Sequence, residues 1–534
     1  VLLLVIKAGE EWRILSPAAG TIARAALVLL IFNILSKLMA LVREVVIARQ
    51  FGATAEMDAY LVAFSIPSVL FFLFTGALAT VVVPVYSEYA ARGREQEAWG
   101  LFGTFFNALL VILILTTAAG LLCAPWLVKL LAPGFQETSV SLAVELTRLM
   151  FPLLIFSGLA SLFGGLLNAR NIFAVTALNA PLSNIAVIVA VLTLSGFLGV
   201  HGMALGVLAG GVAAALVQLP ALRRAGFRFR PGVPFNHPDL KKIFRLLLPI
   251  TVGLSISQTY ILIDRFLGSG LAAGSISALN YANRLIQMPV GLFATALGTA
   301  VFPSLTRRAA GKDLRGLGEG VRRALRLIIL VCVPASVVLL VLREPLVVLF
   351  FERGAFDARA TGMTAAALFF YSFGLVGWAG EFVLARGFFS LQDTRTPVKI
   401  SAVAVTVNLA LSLALIGPMQ HSGLALANST AALTNMTLLL IYLNRRVAGL
   451  WDLAMGRFIA TVLLAAGVMG AAVHMLLPRV EAAVSAGTLL LALQVSLATA
   501  AGMAVYAVVL ALLRVEEVRS LWGILKNMLP ISFR

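Results

Sequence analysis

Ala77-Leu78-Ala79-Thr80-Val81-Val82-Val83-Pro84 returns 219 residues later as Ala296-Leu297-Gly298-Thr299-Ala300-Val301-Phe302-Pro303. Ala90-Ala91 returns as Ala309-Ala310 at the same offset, and Pro125 and Gly134 return as Pro345 and Gly354 at an offset of 220. Aligned stretches at nearly constant offset mark an internal duplication of the kind transporters carry. Both copies lie in long apolar runs. A spanning helix needs ~20 mostly apolar residues. Working outward with that ruler gives candidate spans near 25–49, 57–88, 100–124, 140–167, 174–196, 200–221, 243–267, 272–304, 322–350, 361–388, 397–416, 422–443, 457–477 and 487–513. The first copy holds spans 1–6 and the second spans 7–12. Six is even, so both copies enter the membrane from the same side, and the repeat is parallel.

The expected fold is therefore an all-α polytopic membrane protein with about 14 transmembrane helices. It has two parallel-repeat six-helix lobes plus two extra C-terminal helices. The expected divisions are a cytoplasmic segment 1–24, an N-lobe 25–222, a basic cytoplasmic linker 223–242, a C-lobe 243–444, spans 13 and 14 within 457–513, and a basic cytoplasmic tail 514–534.

Composition agrees. Of 534 residues, 60% are hydrophobic and 12% charged, half the ~25% charged of a soluble chain. Mean hydropathy is +1.00. Disordered, collagenous, disulfide-rich and single soluble domains are excluded. The net charge of +18 invites a polyanionic partner, but position explains most of it. About thirty Lys and Arg fall in the loops of one side, among them Arg92, Arg94, Arg223, Arg224, Arg307, Arg308, Arg445 and Arg446. About six fall on the other side, including Arg49, Lys129, Arg353 and Arg479. The positive-inside rule makes the first side cytoplasmic, with both termini inside. The basic loops then read as topology signal and anionic membrane-lipid contact. No base-stacking or groove-reading motif accompanies them, so nucleic acid is not an expected partner. Cys123 and Cys332 lie in apolar stretches without a CxxC spacing, which argues against a disulfide or zinc site. Residues 1–20 lack the pattern of a cleavable signal peptide.

The charges inside the spans are few: Lys37, Arg43 and Glu44, Asp58, Glu145 and Arg148, Asp264 and Arg265, Arg284, and Glu381. Ionisable residues at bilayer depth face a cavity or one another. Several have ordinary explanations. Lys37 and Glu44 are seven apart on one helix face, and Glu145 and Arg148 three apart, so each can be a structural pair. Asp58 suits the first turn of span 2 as an anion at a helix N-terminus. Asp264 and Arg265, close to Gly268 and Gly270, can mark the outer interface. Arg43 and Arg284 have no acidic residue at i±3 or i±4. Arg284 and Lys37 fall near mid-membrane at 1.5 Å per residue. A guanidinium forks two hydrogen bonds onto phosphate, whereas Lys is a point charge. The local reading is an anionic, phosphorylated, amphiphilic substrate.

The run Leu35-Ser36-Lys37-Leu38-Met39-Ala40-Leu41-Val42-Arg43-Glu44 continues through Phe51-Gly52-Ala53 and Met57-Asp58-Ala59-Tyr60 to Pro84-Val85-Tyr86-Ser87-Glu88-Tyr89. It resembles the start of the MurJ/MviN family of lipid II flippases, in the MOP transporter superfamily. Tyr281-Ala282-Asn283-Arg284-Leu285 with Pro289 resembles that family's span 8. Gln392-Asp393-Thr394 with Thr396-Pro397-Val398-Lys399 resembles its loop before span 11. The resemblance covers nearly the whole chain from about residue 25. It implies two six-span lobes, a lipid-tail groove at spans 13 and 14, and a cationic cavity for a diphosphate headgroup. By that resemblance the essential cations are Lys37, where the pattern usually has Arg, together with Arg43 and Arg284, and the acidic residue is Asp58. A span 2 cation is absent, since Val69-Leu70-Phe71-Phe72 is apolar, and an acidic position before Arg284 is Asn283. Arg265 is the candidate substitute cation. Some members bind sodium in the second lobe, and Asp264 and Asn408 are the candidates for that here.

The expected function is a flippase, not an enzyme. It carries undecaprenyl-diphosphate-linked peptidoglycan precursor from the inner to the outer leaflet of the bacterial cytoplasmic membrane by alternating access. The expected partner is that lipid, with the protein a monomer beside the cell-wall synthesis machinery. No GxxxxGK[ST] motif is present and no cofactor is expected, so the drive is a sodium or proton gradient, the membrane potential or downstream consumption. The nearest rival is a related exporter, either a polysaccharide-lipid flippase or a drug/cation antiporter. An antiporter for cationic drugs needs carboxylates in its cavity, whereas cations dominate here. A membrane enzyme needs acidic or His clusters at the surface, and the inside loops are short and basic.

Overall fold

The computed structural model describes residues 35–227, 238–484, 487–515 and 517. The expected segment 1–24, the first ten residues of span 1, part of the linker 223–242 and most of the tail 514–534 lie outside the described residues. Every regular element among the described residues is a helix. Eleven of these are long and apolar enough to cross a membrane. One of the eleven, Arg395–Asn444, has 50 residues and breaks at Gln420 into two arms. The expected span 7 coincides with the helix Pro238–Gly268, and the expected span 1 with a helix over 35–51.

The chain divides into two compact units, Val1–Gly274 and Ser275–Arg534. In the first, the helix Pro238–Gly268 packs against Ala55–Ala91 and Glu95–Leu131. In the second, Ala358–Ser390 is central and packs against Arg395–Asn444, Leu314–Val341 and Ser275–Pro289.

The duplication read from the sequence recurs in local geometry. Helices beginning at Ala55, Glu95 and Glu137 have counterparts beginning at Ser275, Leu314 and Ala358. Gly199 has φ 54° and ψ −136°, and Gln420, 221 residues later, has φ 51° and ψ −133°. Each joins two antiparallel helices. A Cβ at Gly202 would lie 2.9 Å from the Leu194 backbone, and one at Gly423 would lie 2.6 Å from the Leu415 carbonyl oxygen. The same close hairpin is built twice from residues at one offset. It is relaxed at Gly199 and strained at Gln420, because a side chain on such a backbone costs ~1–3 kcal/mol. Gln420→Gly is expected to stabilise the protein by about 1 kcal/mol after the entropy of the freer unfolded chain is subtracted. Gly199→Gln should destabilise by about 1–3 kcal/mol. Thermal unfolding of the purified protein in detergent checks both, and a lower midpoint for Gln420→Gly would contradict the strain.

Proline sets the other breaks. The residue before proline is pushed out of the α region and proline itself donates no N–H. One crossing is therefore made in two pieces, Glu137–Met150 and Leu153–Ala169, joined at Phe151-Pro152. Phe151 seats its ring where a Cβ on Gly120 would lie, 2.0 Å from the nearest ring carbon.

The surface is as apolar as the interior. Leu122, Trp126, Phe197 and Leu489 are each more than three-quarters exposed. Water would penalise each by ~1.5–3 kcal/mol, whereas acyl chains do not. Charges gather at helix ends and staple them. Arg170 donates to Glu95 at 2.7 Å and to the Tyr86 hydroxyl at 3.2 Å. Arg322 meets Asp452 at 2.5 Å. Asp393 accepts from the amides of Arg395 and Thr396 at 3.0 Å each, and also binds the Thr396 hydroxyl and Arg446. Burial pushes the Asp393 carboxyl up, but the Thr396 donors and the Arg446 guanidinium outweigh it and hold it below the usual carboxylate range. The Gln392-Asp393-Thr394 motif thus starts a helix and ties its far end, through Arg446, to the same turn.

Candidate functional site

The second unit opens with the helix Ser275–Pro289, whose sequence is amphipathic in a chain of apolar spans. Ala278, Leu279, Tyr281, Ala282, Leu285 and Ile286 are buried. Tyr281 is wedged against Phe351 and Phe356, with ring centroids 5.1 and 5.3 Å away. The other face carries Asn280, Asn283, Arg284 and Gln287, half-buried or exposed. Their spacing of i, i+3, i+4 and i+7 is one helix stripe. Four polar side chains in a row are expensive against acyl chains and cheap against water. Arg284 is exposed on this stripe. Asn280 and Gln287 were not singled out by sequence reasoning, although the 3.6-residue period was there to find them. Directly after Pro289 the helix widens to a π turn over Val290–Ala294 before continuing as Thr295–Ala310. π turns inside helices occur mostly at functional sites. This one follows Pro289 and lies next to the stripe.

In the first unit, Arg43 donates to Glu44 Oε1 at 2.6 Å and to Asn184 Oδ1 at 2.9 Å. Asn184 in turn donates to the Ser36 carbonyl at 3.3 Å. The Arg43 Nε is buried without a hydrogen-bond partner. Arg43 is therefore fixed by its neighbour and by an Asn from another span. The expectation looked for carboxylates one turn away and passed over the adjacent one. Lys37 is exposed on the same helix. Glu44 is held by Arg43, which corrects the expected pairing of Lys37 with Glu44. Asn184 is a further residue missed, a lone amide in an apolar span.

Asp58 is buried in the first turn of Ala55–Ala91, and its Oδ2 accepts the Gly274 amide at 2.7 Å. Thr54, not Asp58, is the helix cap, accepting from the Met57 amide. Arg265 is buried, and its Nε donates to Ser65 Oγ at 3.1 Å. Asp264 is half-buried beside it. In the second unit Asn408 is fully buried and donates to Asn428 Oδ1 at 3.2 Å, while its own Oδ1 has no hydrogen-bond partner. Ser412, one turn on, is also buried with an unpartnered hydroxyl. Oxygen donors of this kind suit a hard cation. The expected pairing of Glu145 with Arg148 is not made. Glu145 faces His201 Nε2 at 3.3 Å, and Arg148 donates to the Leu121 carbonyl at 3.3 Å. Each side chain finds a better partner on a neighbouring helix than on its own.

The family model for "Lipid II flippase MurJ" matches residues 47–495. The chain belongs to the lipid II flippase MurJ family. A Burkholderia cenocepacia protein named lipid II flippase MurJ is 33% identical over 462 residues, covering 84% of this chain and 89% of its own. A Vibrio cholerae protein named probable lipid II flippase MurJ is 32% identical over 507 residues, covering 92% and 96%. Among solved structures, a lipid II flippase MurJ in an inward closed conformation aligns with TM-score 0.78 at 22% identity, over 91% of this chain and 98% of that one. An inward-facing multidrug resistance MATE transporter of the MOP superfamily aligns with TM-score 0.65 at 14% identity, over 80% and 98%. These two show the fold. A multi-pass membrane transporter architecture is common to the MurJ family and its MOP neighbours.

Proposed function

We propose that the protein flips undecaprenyl-diphosphate-linked peptidoglycan precursor, lipid II, from the inner to the outer leaflet of the bacterial cytoplasmic membrane. The observation that carries this reading is the polar stripe of Asn280, Asn283, Arg284 and Gln287 on a membrane helix of a chain in this family. A stripe with one cation and three amides binds a phosphorylated headgroup by charge and hydrogen bonds together, while the prenyl tail stays in lipid. Arg43 would act differently. It already holds Glu44, so a diphosphate must displace that carboxylate, and the exchange would make binding and release nearly balanced. Lys37 would add a point charge nearby along the same helix. Arg265 and Asp58 would support the site, Arg265 from Ser65 and Asp58 by holding the Gly274 turn.

Both termini are proposed to lie in the cytoplasm, as the basic loops require, and the protein to work as a monomer with fourteen spans. Sodium coupling through Asp264 or Asn408 is an option that the oxygen donors of Asn408 support. The rival MOP-type exporters are not favoured, because no carboxylate accompanies the stripe. The decisive experiment depletes the host's own flippase and expresses this chain. Growth should be restored, and lipid II on the outer leaflet should return to the undepleted level, as read by mass spectrometry after an impermeant label. Restored membrane insertion with continued accumulation of inner-leaflet lipid II would overturn the assignment.

A further inference from the structure

Glu381 lies on the central helix Ala358–Ser390 of the second unit, within a membrane-crossing stretch. Its carboxyl takes a hydrogen bond from the Asn435 side chain. Asn435 is 2% exposed, and its other polar atom, Oδ1, is buried with no partner. That combination is chemically uneven. A carboxylate only accepts, so it satisfies the amide N–H and leaves the amide oxygen unpaired. An unpaired buried carbonyl costs ~1–3 kcal/mol, and an uncompensated carboxylate at membrane depth adds more. A carboxylic acid removes both costs at once. It accepts from Asn435 Nδ2 and donates its O–H to Asn435 Oδ1, closing a two-bond ring.

The surroundings offer no other compensation. Phe382 packs on Gly298, and Met436 packs on Gly380, so the level of Glu381 is apolar on both neighbouring helices. Arg386, a turn along, lays its guanidinium over the Phe302 and Phe382 rings at 5.2 and 4.9 Å. Arg326, on the helix Leu314–Val341, is bound to Glu517 at 2.8 Å and lies over Phe458. Arg284 sits on the Ser275–Pro289 helix, whose Tyr281 packs near Phe356 just before the start of Ala358–Ser390. Arg445 lies beyond Leu443, which packs on Gly387. Among the described residues no ion pair reaches Glu381.

We propose that Glu381 with Asn435 is a proton-binding site of the transport cycle, holding the proton in this conformation and releasing it to water when the second unit rearranges. The proton leaves as Glu381 becomes a carboxylate, and rebinding restores the acid–amide pair. The link to transport rests on the flippase reading above, whereas the proton site itself does not. Two measurements separate them. Infrared spectra of the purified protein in lipid vesicles need no cargo. The wild type should show a protonated-carboxyl band near neutral pH that shifts in D2O, is absent from Glu381→Gln and moves in Asn435→Leu. Should Glu381→Gln fail to fold, Glu381→Asp keeps an acid and should shift the same band. Identical wild-type and variant spectra in that region would overturn the site. In reconstituted vesicles, wild-type lipid II flipping should change severalfold with an imposed pH difference, and Glu381→Gln should flip lipid without responding to it. Equal responses in both proteins would overturn the coupling even with the band present.

Discussion

Arg284→Ala, inserted and expressed at the wild-type level, is expected not to support growth when the host flippase is depleted. Arg284 is exposed on a polar stripe while the opposite face of its helix is packed around Tyr281. Removing it therefore leaves the fold's contacts largely intact and removes a guanidinium from the surface proposed to meet diphosphate. A charged hydrogen bond contributes ~1.5–3 kcal/mol, about a 10- to 150-fold loss in headgroup affinity. Arg284→Lys should fall between the two, because a point charge keeps the attraction and loses the fork. Complementation under depletion, with membrane abundance measured in parallel, checks the series. Full growth with Arg284→Ala would remove Arg284 from the site. Gln287→Ala should give a smaller loss in the same assay, since it removes a neutral donor from the same stripe.

Gly274→Ala is expected to be the most damaging of the small substitutions to the fold. Gly274 has φ 89°, and a Cβ there would stand 2.2 Å from the Ala53 carbonyl oxygen. Backbone in this region costs a non-glycine residue ~1–3 kcal/mol, and forced overpacking adds a further ~1–3 kcal/mol. The displaced atom is backbone, so it cannot swing aside as a side chain would. The shift would also pull the Gly274 amide away from the buried Asp58 carboxylate that accepts it. A loss of about 3 kcal/mol or more should appear as a markedly lower unfolding midpoint in detergent and reduced membrane abundance. Asp58→Asn should cost less, because its side-chain oxygen can still accept the same amide. A midpoint unchanged by Gly274→Ala would show that the turn is free to relax.

These two residues differ in how visible they are before folding. Arg284 stands out in sequence because a guanidinium in an apolar span has few explanations. Gly274 does not, because its constraint is the approach of Ala53, more than two hundred residues earlier. The same contrast separates the charged pairs. Spacing along one helix suggested Glu145 with Arg148 and Lys37 with Glu44. The fold offered Glu145 a histidine from another helix and gave Glu44 to its immediate neighbour. Side chains in a bundle choose among several helices, and sequence spacing describes only one of them.

Spans, their number of copies and the class of protein are one-dimensional properties. Apolar run length is set by bilayer thickness, charge asymmetry by insertion, and duplication by the offset between Ala77 and Ala296. Sequence is sufficient for these because each depends on local composition and order. It was also sufficient for the MurJ-family resemblance, which rests on short motifs. Only the folded chain decided which polar groups are satisfied: Asn184 on Arg43, Ser65 on Arg265, and Asn435 on Glu381 with one oxygen left over. It alone placed the π turn after Pro289 and set Gln420 in a backbone suited to glycine. The physical reason is that a hydrogen bond needs a partner within about 3 Å, and helices distant in sequence supply most of the partners inside a membrane.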